Sequence, residues 1–560
     1  MIDLTNFDIY PEGRIHYLTY ISDAMKRLPD NKVLSYIGGD GYTFRQIAVE
    51  IEKLHIIFEK AGLKPGDKVA ICGNNSPIWG AVSLAVITYR AVAVPILKDF
   101  RPESIESLVN HSESSLLFVD TEIYKTLDRK NLSGLKAIFS LTSRDLVYDG
   151  GNAELVFAVD KIETLFREKY PNFSIEDVHY PEDNFDEVCI INYTSGTSSV
   201  PKGVVLTNGN ISANIQYAVK TIYGYEGGSI VSMLPMAHMF GITFGFLYQL
   251  ASGCGICFPK KISSSKMLFD YLAAVKPYMI LTVPLMIEKM FKTSVFPVVN
   301  KPFMKLMLRM WPSAKIIKKK LRKKIMNAFG GGMKILIIGG APINEEVESW
   351  LKKLKIPYLV GYGMTECAPL ISYQQPLKFK LGSCGMPIDI NDVKINSEDP
   401  QHIVGEILVR GWNVMKGYYK NPEATASTFT EDWWLCTGDL GLIDESGNLF
   451  IKGRSKNMIL TASGQNVYPE EIEEKLLQLP YVDECIVIQR GSSIVGLVYP
   501  DMEQAEKDGF GEIGVKSKMK DNLNKLNSFL PRYSYVSNLE IVKEPFEKNP
   551  KNNIKRYLYR

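Results

Sequence analysis

Six histidines and eight scattered cysteines in 560 residues leave little from which to build a metal centre of nitrogen and sulfur ligands. The one close pair, Cys254-Gly255-Ile256-Cys257, has metal-like spacing, but no second Cys or His pair accompanies it, which argues against structural zinc. Unpatterned cysteines inside apolar runs read instead as buried free thiols in a reducing compartment, so a cytoplasmic location is expected. Charge of one sign is also lacking: the formal net charge of +3 is too small to argue for a nucleic-acid partner. Met1-Ile2-Asp3-Leu4 offers neither a basic flank nor an apolar stretch, so no signal peptide is expected. Internal repeats and low-complexity tracts are absent, which excludes repeat architectures. From 227 to 259 there is no Asp, Glu, Lys or Arg. Pro235, His238, Gln249 and several glycines interrupt that run, however, and a lipid-exposed helix tolerates such breaks poorly. Buried core lining an apolar cavity is the better reading.

What is present is ordinary in bulk. Hydrophobic residues make up 46% and charged residues 23%, the balance of a globular enzyme, and the length calls for several domains or subdomains. Short β-rich runs at 68–72, 116–119 and 333–338 alternate with helical stretches and predict parallel α/β layers. From 385 to 452 strands shorten and turn signals become denser, which predicts a small barrel-like subdomain at about 382–452. Beyond Gly453-Arg454-Ser455-Lys456, a predicted helix over 469–479, a strand over 485–488 and a helix over 517–530 form a module of about a hundred residues, enough to fold as its own unit. The expected fold class is α/β, with a large N-terminal domain over 1–452, a boundary at 453–456 and a small α+β domain over 457–560.

Chemistry concentrates at Thr194-Ser195-Gly196-Thr197-Ser198-Ser199-Val200-Pro201-Lys202-Gly203. The segment follows Val188-Cys189-Ile190-Ile191-Asn192-Tyr193, a predicted buried strand. Hydroxyls, glycines and one lysine cannot pack a core. They can wrap a polyphosphate, because Gly admits close backbone approach, hydroxyls donate hydrogen bonds and Lys202 supplies a point charge. The spacing is not that of a Walker A loop.

Residues 193–203 resemble the phosphate loop of adenylate-forming enzymes, the superfamily of acyl-CoA synthetases, luciferases and nonribosomal adenylation domains. Further motifs follow in that superfamily's order and span nearly the whole chain. Leu234-Pro235-Met236-Ala237-His238-Met239-Phe240-Gly241 is similar to its acyl-pocket segment, and Gly339-Gly340-Ala341-Pro342 to its adenine-site turn. Gly361-Tyr362-Gly363-Met364-Thr365-Glu366 resembles its Tyr-Gly-x-Thr-Glu signature. Thr437-Gly438-Asp439, Gly453-Arg454-Ser455-Lys456 and Gly464-Gln465-Asn466-Val467-Tyr468-Pro469 complete the series. The tail from Arg532-Tyr533-Ser534 to Ile554-Lys555-Arg556-Tyr557-Leu558 is similar to bacterial long-chain fatty acid–CoA ligases.

That resemblance implies two half-reactions. A carboxylate attacks the α-phosphate of ATP to give an acyl-adenylate and pyrophosphate, and the thiol of coenzyme A then takes the acyl group and releases AMP. Thr194, Ser195, Gly196, Thr197 and Lys202 would surround the phosphates, and Thr194 with Glu366 would hold Mg²⁺, a hard ion suited to oxygen ligands. Asp439 would accept the ribose hydroxyls and Arg454 would add a donor. Tyr362 and the turn Gly340, Ala341, Pro342 would flank adenine, within the wider nucleotide segment Gly361, Gly363, Met364 and Thr365. His238, with Phe240 and Gly241, would gate the acyl pocket, although a lone histidine in a charge-free, apolar setting is by default a satisfied core residue. Phe240, Phe244, Phe246 and Leu247 favour a long aliphatic acid over an amino acid, since no buried acid stands by to pair an ammonium. Lys456 would be the pivot of a hinge, and Gly464, Gln465 and Asn466 would line the coenzyme A path.

Some positions depart from the superfamily pattern. Ser199 stands where Gly is usual, Asn208 where His is common, and Trp433-Trp434 replaces Gly-Trp. The serious departure is in Pro550-Lys551-Asn552-Asn553-Ile554-Lys555-Arg556, where Asn553 occupies the place of a lysine that contacts the substrate carboxylate and α-phosphate during adenylation. Two readings follow: a working ligase with a weakened or displaced lysine, or a binding or thioester-forming homologue that receives adenylates made elsewhere. If the segment is extended, Lys551 and Lys555 share a face with Asn553 and could substitute. Coenzyme A or a carrier-protein thiol both fit as acceptor. Finally, 301–324 carries Lys301, Lys305, Arg309, Lys315, Lys318, Lys319, Lys320, Arg322, Lys323 and Lys324 without an acid, with Phe303, Leu306 and Trp311 interleaved. It reads either as a contact with anionic membrane or as a solvated helix with a structural apolar face.

Overall fold

The computed structural model describes residues 13–194, 201–222, 224–262, 264–374, 379–460, 465–491, 493–549 and 553–559, with only the backbone at 265 and 311. These residues divide into two compact units. One holds the described chain through Asp392 together with Val409–Leu435, and the other holds Val393–Leu408 and the chain from Cys436 onward.

The first unit is α/β. Its largest sheet has eight strands, in the order Gly417–Tyr418, Lys202–Thr207, Val188–Thr194, Val92–Ile96, Lys68–Cys72, Ser114–Val119, Ala137–Ser140 and Leu146–Tyr148. The five central strands are parallel to one another, and the flanking strands are antiparallel. Parallel strands are covered on both faces, so they read as continuous apolar runs rather than alternating ones. Val69, Ala70, Ile71 and Cys72 accordingly all show no exposure. Val69 and Ile71 each contribute roughly 1.5–3 kcal/mol by leaving water. The helix Pro77–Thr88 is apolar on every side for the same reason and is buried at every residue but Ile78, started by Ser76, whose hydroxyl accepts from Trp79 N at 3.1 Å.

A second, five-stranded sheet runs Met279–Thr282, Ile335–Ile338, Tyr358–Gly363, Leu370–Tyr373, Met386–Pro387, with its first three strands parallel. A third sheet of four strands joins Ser229–Val231, Gly255–Phe258, Lys32–Tyr36 and Gly41–Thr43. The charge-free stretch 227–259 supplies two of its strands and the segment Met239–Ala251 between them. Phe246, Leu247 and Tyr248 are buried there, and Phe246 packs edge-on to Trp79. No helix among the described residues is long and apolar enough to cross a membrane. All eight cysteines are free thiols.

The second unit is α+β. It contains most of a four-stranded sheet in the order Asn391–Asn396, Gly405–Gly411, Leu435–Ile443, Leu449–Arg454 and a three-stranded sheet of Val482–Arg490, Ser493–Pro500 and Val536–Ile541. The helices Pro469–Leu477 and Glu512–Ser528 cover the latter through Ile472, Leu476, Val515, Met519 and Leu526.

Candidate active site

In the first unit the candidate residues are brought together by three devices. Val188–Thr194 and Lys202–Thr207 form an antiparallel hairpin in which Thr194 stands opposite Lys202. The loop they hold, with Ser195, Gly196 and Thr197, lies outside the described residues. Lys202 Nζ sits 4.7 Å from the ring centre of Tyr418, whose strand pairs with the same hairpin. Tyr418 in turn donates its hydroxyl to Glu366 Oε1 at 2.9 Å. Thr194, Lys202, Tyr418 and Glu366 thus form one continuous chain of contacts across more than two hundred positions of sequence.

Glu366 is buried at 8% exposure, in the turn Thr365–Cys367 that follows the strand Tyr358–Gly363. Its backbone is clamped from several directions. Met415 N donates to Glu366 O at 2.8 Å, Asn214 Nδ2 to Cys367 O at 3.1 Å and Thr243 Oγ1 to Ala368 O at 3.1 Å. Asn214 Oδ1 also accepts from Leu370 N, and Asn413 Nδ2 donates to Leu370 O at 2.6 Å. Burial, then the neighbouring Glu366 carboxylate, pushes the Tyr418 hydroxyl far above its ordinary value, so it remains a donor.

The second device joins three motifs at one place. A side chain on Gly339 would meet the Phe240 ring at 3.2 Å and Gly361 O at 3.4 Å, so the turn after Ile335–Ile338, the segment 234–241 and the strand Tyr358–Gly363 touch there. Gly241 is obligatory, because a Cβ would lie 2.0 Å from Pro235 O. Gly363 is obligatory in the same way against Pro369 O. Gly340, Ala341 and Pro342 are exposed at the carboxyl ends of parallel strands, where open α/β sheets receive ligands. Tyr362 and Thr365 are buried, Met364 half-buried.

The third device is a set of buried amides. Asn192 Nδ2 donates to Ala237 O at 2.9 Å, and Asn75 bonds Ser232, Leu234 O and Met236 N. His238 is half-buried and uses Nδ1 to accept from Phe240 N at 3.2 Å, capping a helical segment whose turns widen to i→i+5 bonding over Thr243–Leu247. Asn208, at the position where His is common, is a structural residue: it accepts from Tyr17 OH at 3.0 Å and donates to Asn184 O at 3.2 Å.

In the second unit Asp439 is 4% exposed and lies opposite Arg454 on the neighbouring strand, with Oδ1 2.8 Å from Arg454 Nε. Gly438, in the left-handed region at φ 71°, turns the chain so that its N–H meets Glu406 Oε1 at 2.9 Å. Lys456, Gln465 and Asn466 are exposed, and Gly464 lies outside the described residues. Asn553 is exposed: Asn549 N donates to Asn553 O at 2.9 Å and Asn553 N to Asn549 Oδ1 at 3.0 Å. Lys555 pairs with Glu547, with Nζ 2.5 Å from Oε1. Lys551 lies outside the described residues.

A family model for AMP-binding enzymes matches residues 21–419. The chain belongs to the AMP-binding enzyme family. Among its curated relatives, fatty acyl-CoA synthetase A of Dictyostelium discoideum is 27% identical over 83% of this chain and 72% of that protein. Long-chain-fatty-acid–CoA ligase FadD15 of Mycobacterium bovis is 27% identical over 80% of this chain and 75% of its own length. Among solved structures, ATP-bound MatB from Rhodopseudomonas palustris is similar with TM-score 0.74, at 21% identity over 96% of this chain and 97% of that one. O-succinylbenzoate CoA synthetase of Bacillus subtilis, solved with ATP and magnesium, is similar with TM-score 0.72, at 20% identity over 97% and 99%.

For an AMP-binding enzyme the state of Glu366 is informative. It is a buried carboxylate with one hydroxyl donor, and among the described residues no cation pairs with it. That donor set fits a hard divalent ion with oxygen preference. Sequence reading missed Tyr418 and the amides at 75, 192, 214 and 413. A signal existed for the helix Asn208–Thr221, where Asn208, Asn210, Ser212, Asn214 and Gln216 recur without charge and all prove buried.

Proposed function

We propose that this chain activates a long-chain fatty acid with ATP, forming an acyl-adenylate and pyrophosphate, and passes the acyl group to the thiol of coenzyme A with release of AMP. The observation that carries the reading is the contact chain from Thr194 and Lys202 through Tyr418 to Glu366, supported by the family match and by relatives named as long-chain ligases. Phosphoryl chemistry of this kind asks the protein for positioning and charge neutralisation more than for covalent help. Lys202 supplies the point charge on the phosphates, and its ammonium rests over the Tyr418 ring. Thr194 and Glu366 would hold Mg²⁺, which supplies neutralisation of the polyphosphate when bound. Asp439 accepts the ribose hydroxyls, with Arg454 as an additional donor. Phe240 meets Gly339 of the nucleotide turn, and its own segment continues into the buried Phe244, Phe246 and Leu247, which supports a long aliphatic acyl group. The two half-reactions call on different groups, and Gly453–Lys456 is where we place the pivot that exchanges them.

A second reading rests on Asn553. Loss of one preorganised donor typically costs about 10²–10³-fold in rate, roughly 3–4 kcal/mol, and a neutral amide recovers part of it. Incubation of the chain with ATP, Mg²⁺ and a panel of fatty acids should yield AMP and pyrophosphate, stimulated by acids of roughly twelve carbons or more. ADP as product would overturn the reaction class, and preference for acetate or amino acids would overturn the substrate. Asn553→Lys should raise acyl-AMP formation at least several-fold and leave thiolysis of supplied acyl-AMP unchanged. No adenylation by the unsubstituted chain, restored by Asn553→Lys, would favour the receiver of preformed adenylates instead.

A further inference from the structure

The chain runs from 289 to 344 without an Asp or Glu, and within 301–324 it places ten Lys and Arg residues. Since the whole chain carries only +3, the remainder is net acidic, and this segment concentrates the positive charge rather than sharing a general excess.

The segment folds as two helices, Pro302–Arg309 and Trp311–Ala328, tied by Ser313 Oγ donating to Met307 O at 2.6 Å. The longer helix is fixed to the protein by Leu321 and Ile325, which belong to the core of the first unit, and by Ala314 on the same side. Helical spacing then puts Lys319, Lys320 and Lys323 on the opposite side, all exposed, with Ile316 at 57% exposure among them. The shorter helix has no buried residue. Leu308 leans on the core, whereas Phe303 and Leu306, on a different side, are 70% and 56% exposed. An anchored helix therefore presents a fixed basic face, and beside it a short amphipathic helix holds a phenylalanine and a leucine in water.

We infer that 302–328 is a docking face for an anionic bilayer surface. A polyanion such as RNA would satisfy the lysines but leave Phe303 and Leu306 wet. A bilayer interface satisfies both, with headgroup phosphates for the lysines and the acyl boundary for the apolar pair. None of the residues that form this face is among those assigned to catalysis, so its test does not depend on turnover.

The full chain should sediment with vesicles of phosphatidylglycerol and phosphatidylcholine, fail to do so with phosphatidylcholine alone, and be released by raised salt. Lys319→Glu/Lys320→Glu/Lys323→Glu should weaken vesicle binding at least roughly a hundredfold. Phe303→Ser/Leu306→Ser should weaken it about tenfold or more. Both variants should keep the thermal unfolding midpoint of the parent, since every substituted side chain is exposed. Equal binding to neutral vesicles, no binding to any vesicle, or undiminished binding by the charge-reversed variant would each overturn the inference. So would capture of RNA in place of vesicles, or indifference to the Phe303/Leu306 change.

Discussion

Glu366 and Asp439 are both carboxylates withdrawn from water, at 8% and 4% exposure, yet their partners differ in kind. Glu366 receives a hydroxyl hydrogen bond from Tyr418, its backbone carbonyl is held by Met415 N, and no described cation pairs with it. Asp439 has its cation built in, Arg454 Nε at 2.8 Å from the facing strand. A buried carboxylate without a counter-charge is costly. A fold that keeps Glu366 in that state is suited to a cation that arrives with the substrate. One that gives Asp439 an arginine is suited to a neutral partner, such as a sugar hydroxyl, added to a pair already balanced. Two acids of similar burial are thereby fitted to different jobs, and substitution should separate them.

The largest difference should come from Glu366→Gln. Glutamine keeps the shape and can still accept from Tyr418, so charge alone is removed. We expect acyl-AMP formation in single-turnover experiments to fall about 10²–10³-fold. A loss under tenfold would mean that Glu366 is as replaceable as any hydrogen-bond acceptor.

Asp439→Ala should act more weakly and on a different constant. Losing hydrogen bonds to a charged acceptor removes about 1.5–3 kcal/mol, which predicts an ATP KM raised roughly 10- to 100-fold. Arg454 is 55% exposed, so the pair by itself adds little to stability. Its coupling should still appear as non-additivity: Arg454→Ala in the Asp439→Ala background should cost less than Arg454→Ala alone. Additive effects on ATP binding would show that the two residues serve separate parts of the ligand.

The same two acids mark how far sequence reading reaches. The order of glycine-rich and acidic motifs, and the apolar runs of the parallel strands, were legible because period and composition are local. The helix over 469–479 and the strand over 485–488 were legible for the same reason, and they appear as Pro469–Leu477 and Val482–Arg490. What was not legible is who stands beside whom. Nothing around Tyr418 points to Glu366, because their contact depends on a short edge strand pairing with Lys202–Thr207. The buried amides of Asn75, Asn192 and Asn214 are similarly silent, since an asparagine in a sequence looks like a turn residue until its carbonyl partners are known. Lys555 is a further case: spacing offers it as a substitute for the missing lysine, but spacing does not reveal that its ammonium pairs with Glu547.

The smallest effect should belong to Tyr418→Phe, and it is the sharpest test of the comparison. Phenylalanine keeps the ring against which Lys202 rests at 4.7 Å and deletes only the hydroxyl that reaches Glu366. Burial and the facing carboxylate keep that hydroxyl protonated, so no titration is lost with it. A hydrogen bond to a charged acceptor is worth about 1.5–3 kcal/mol, but a cation bound at Glu366 takes over much of that, so the loss at saturating Mg²⁺ should be only roughly 3- to 10-fold. The position of the loss matters more than its size. If Tyr418 serves to aim Glu366 at an incoming cation, the Mg²⁺ concentration for half-maximal adenylation should rise several-fold while the fatty-acid KM and the unfolding midpoint stay put. Tyr418→Ala should then do more, since it also withdraws the ring from Lys202. A uniform fall in every constant, or an unchanged Mg²⁺ requirement in the phenylalanine variant, would make Tyr418 a packing residue and leave Glu366 positioned by its backbone clamp alone.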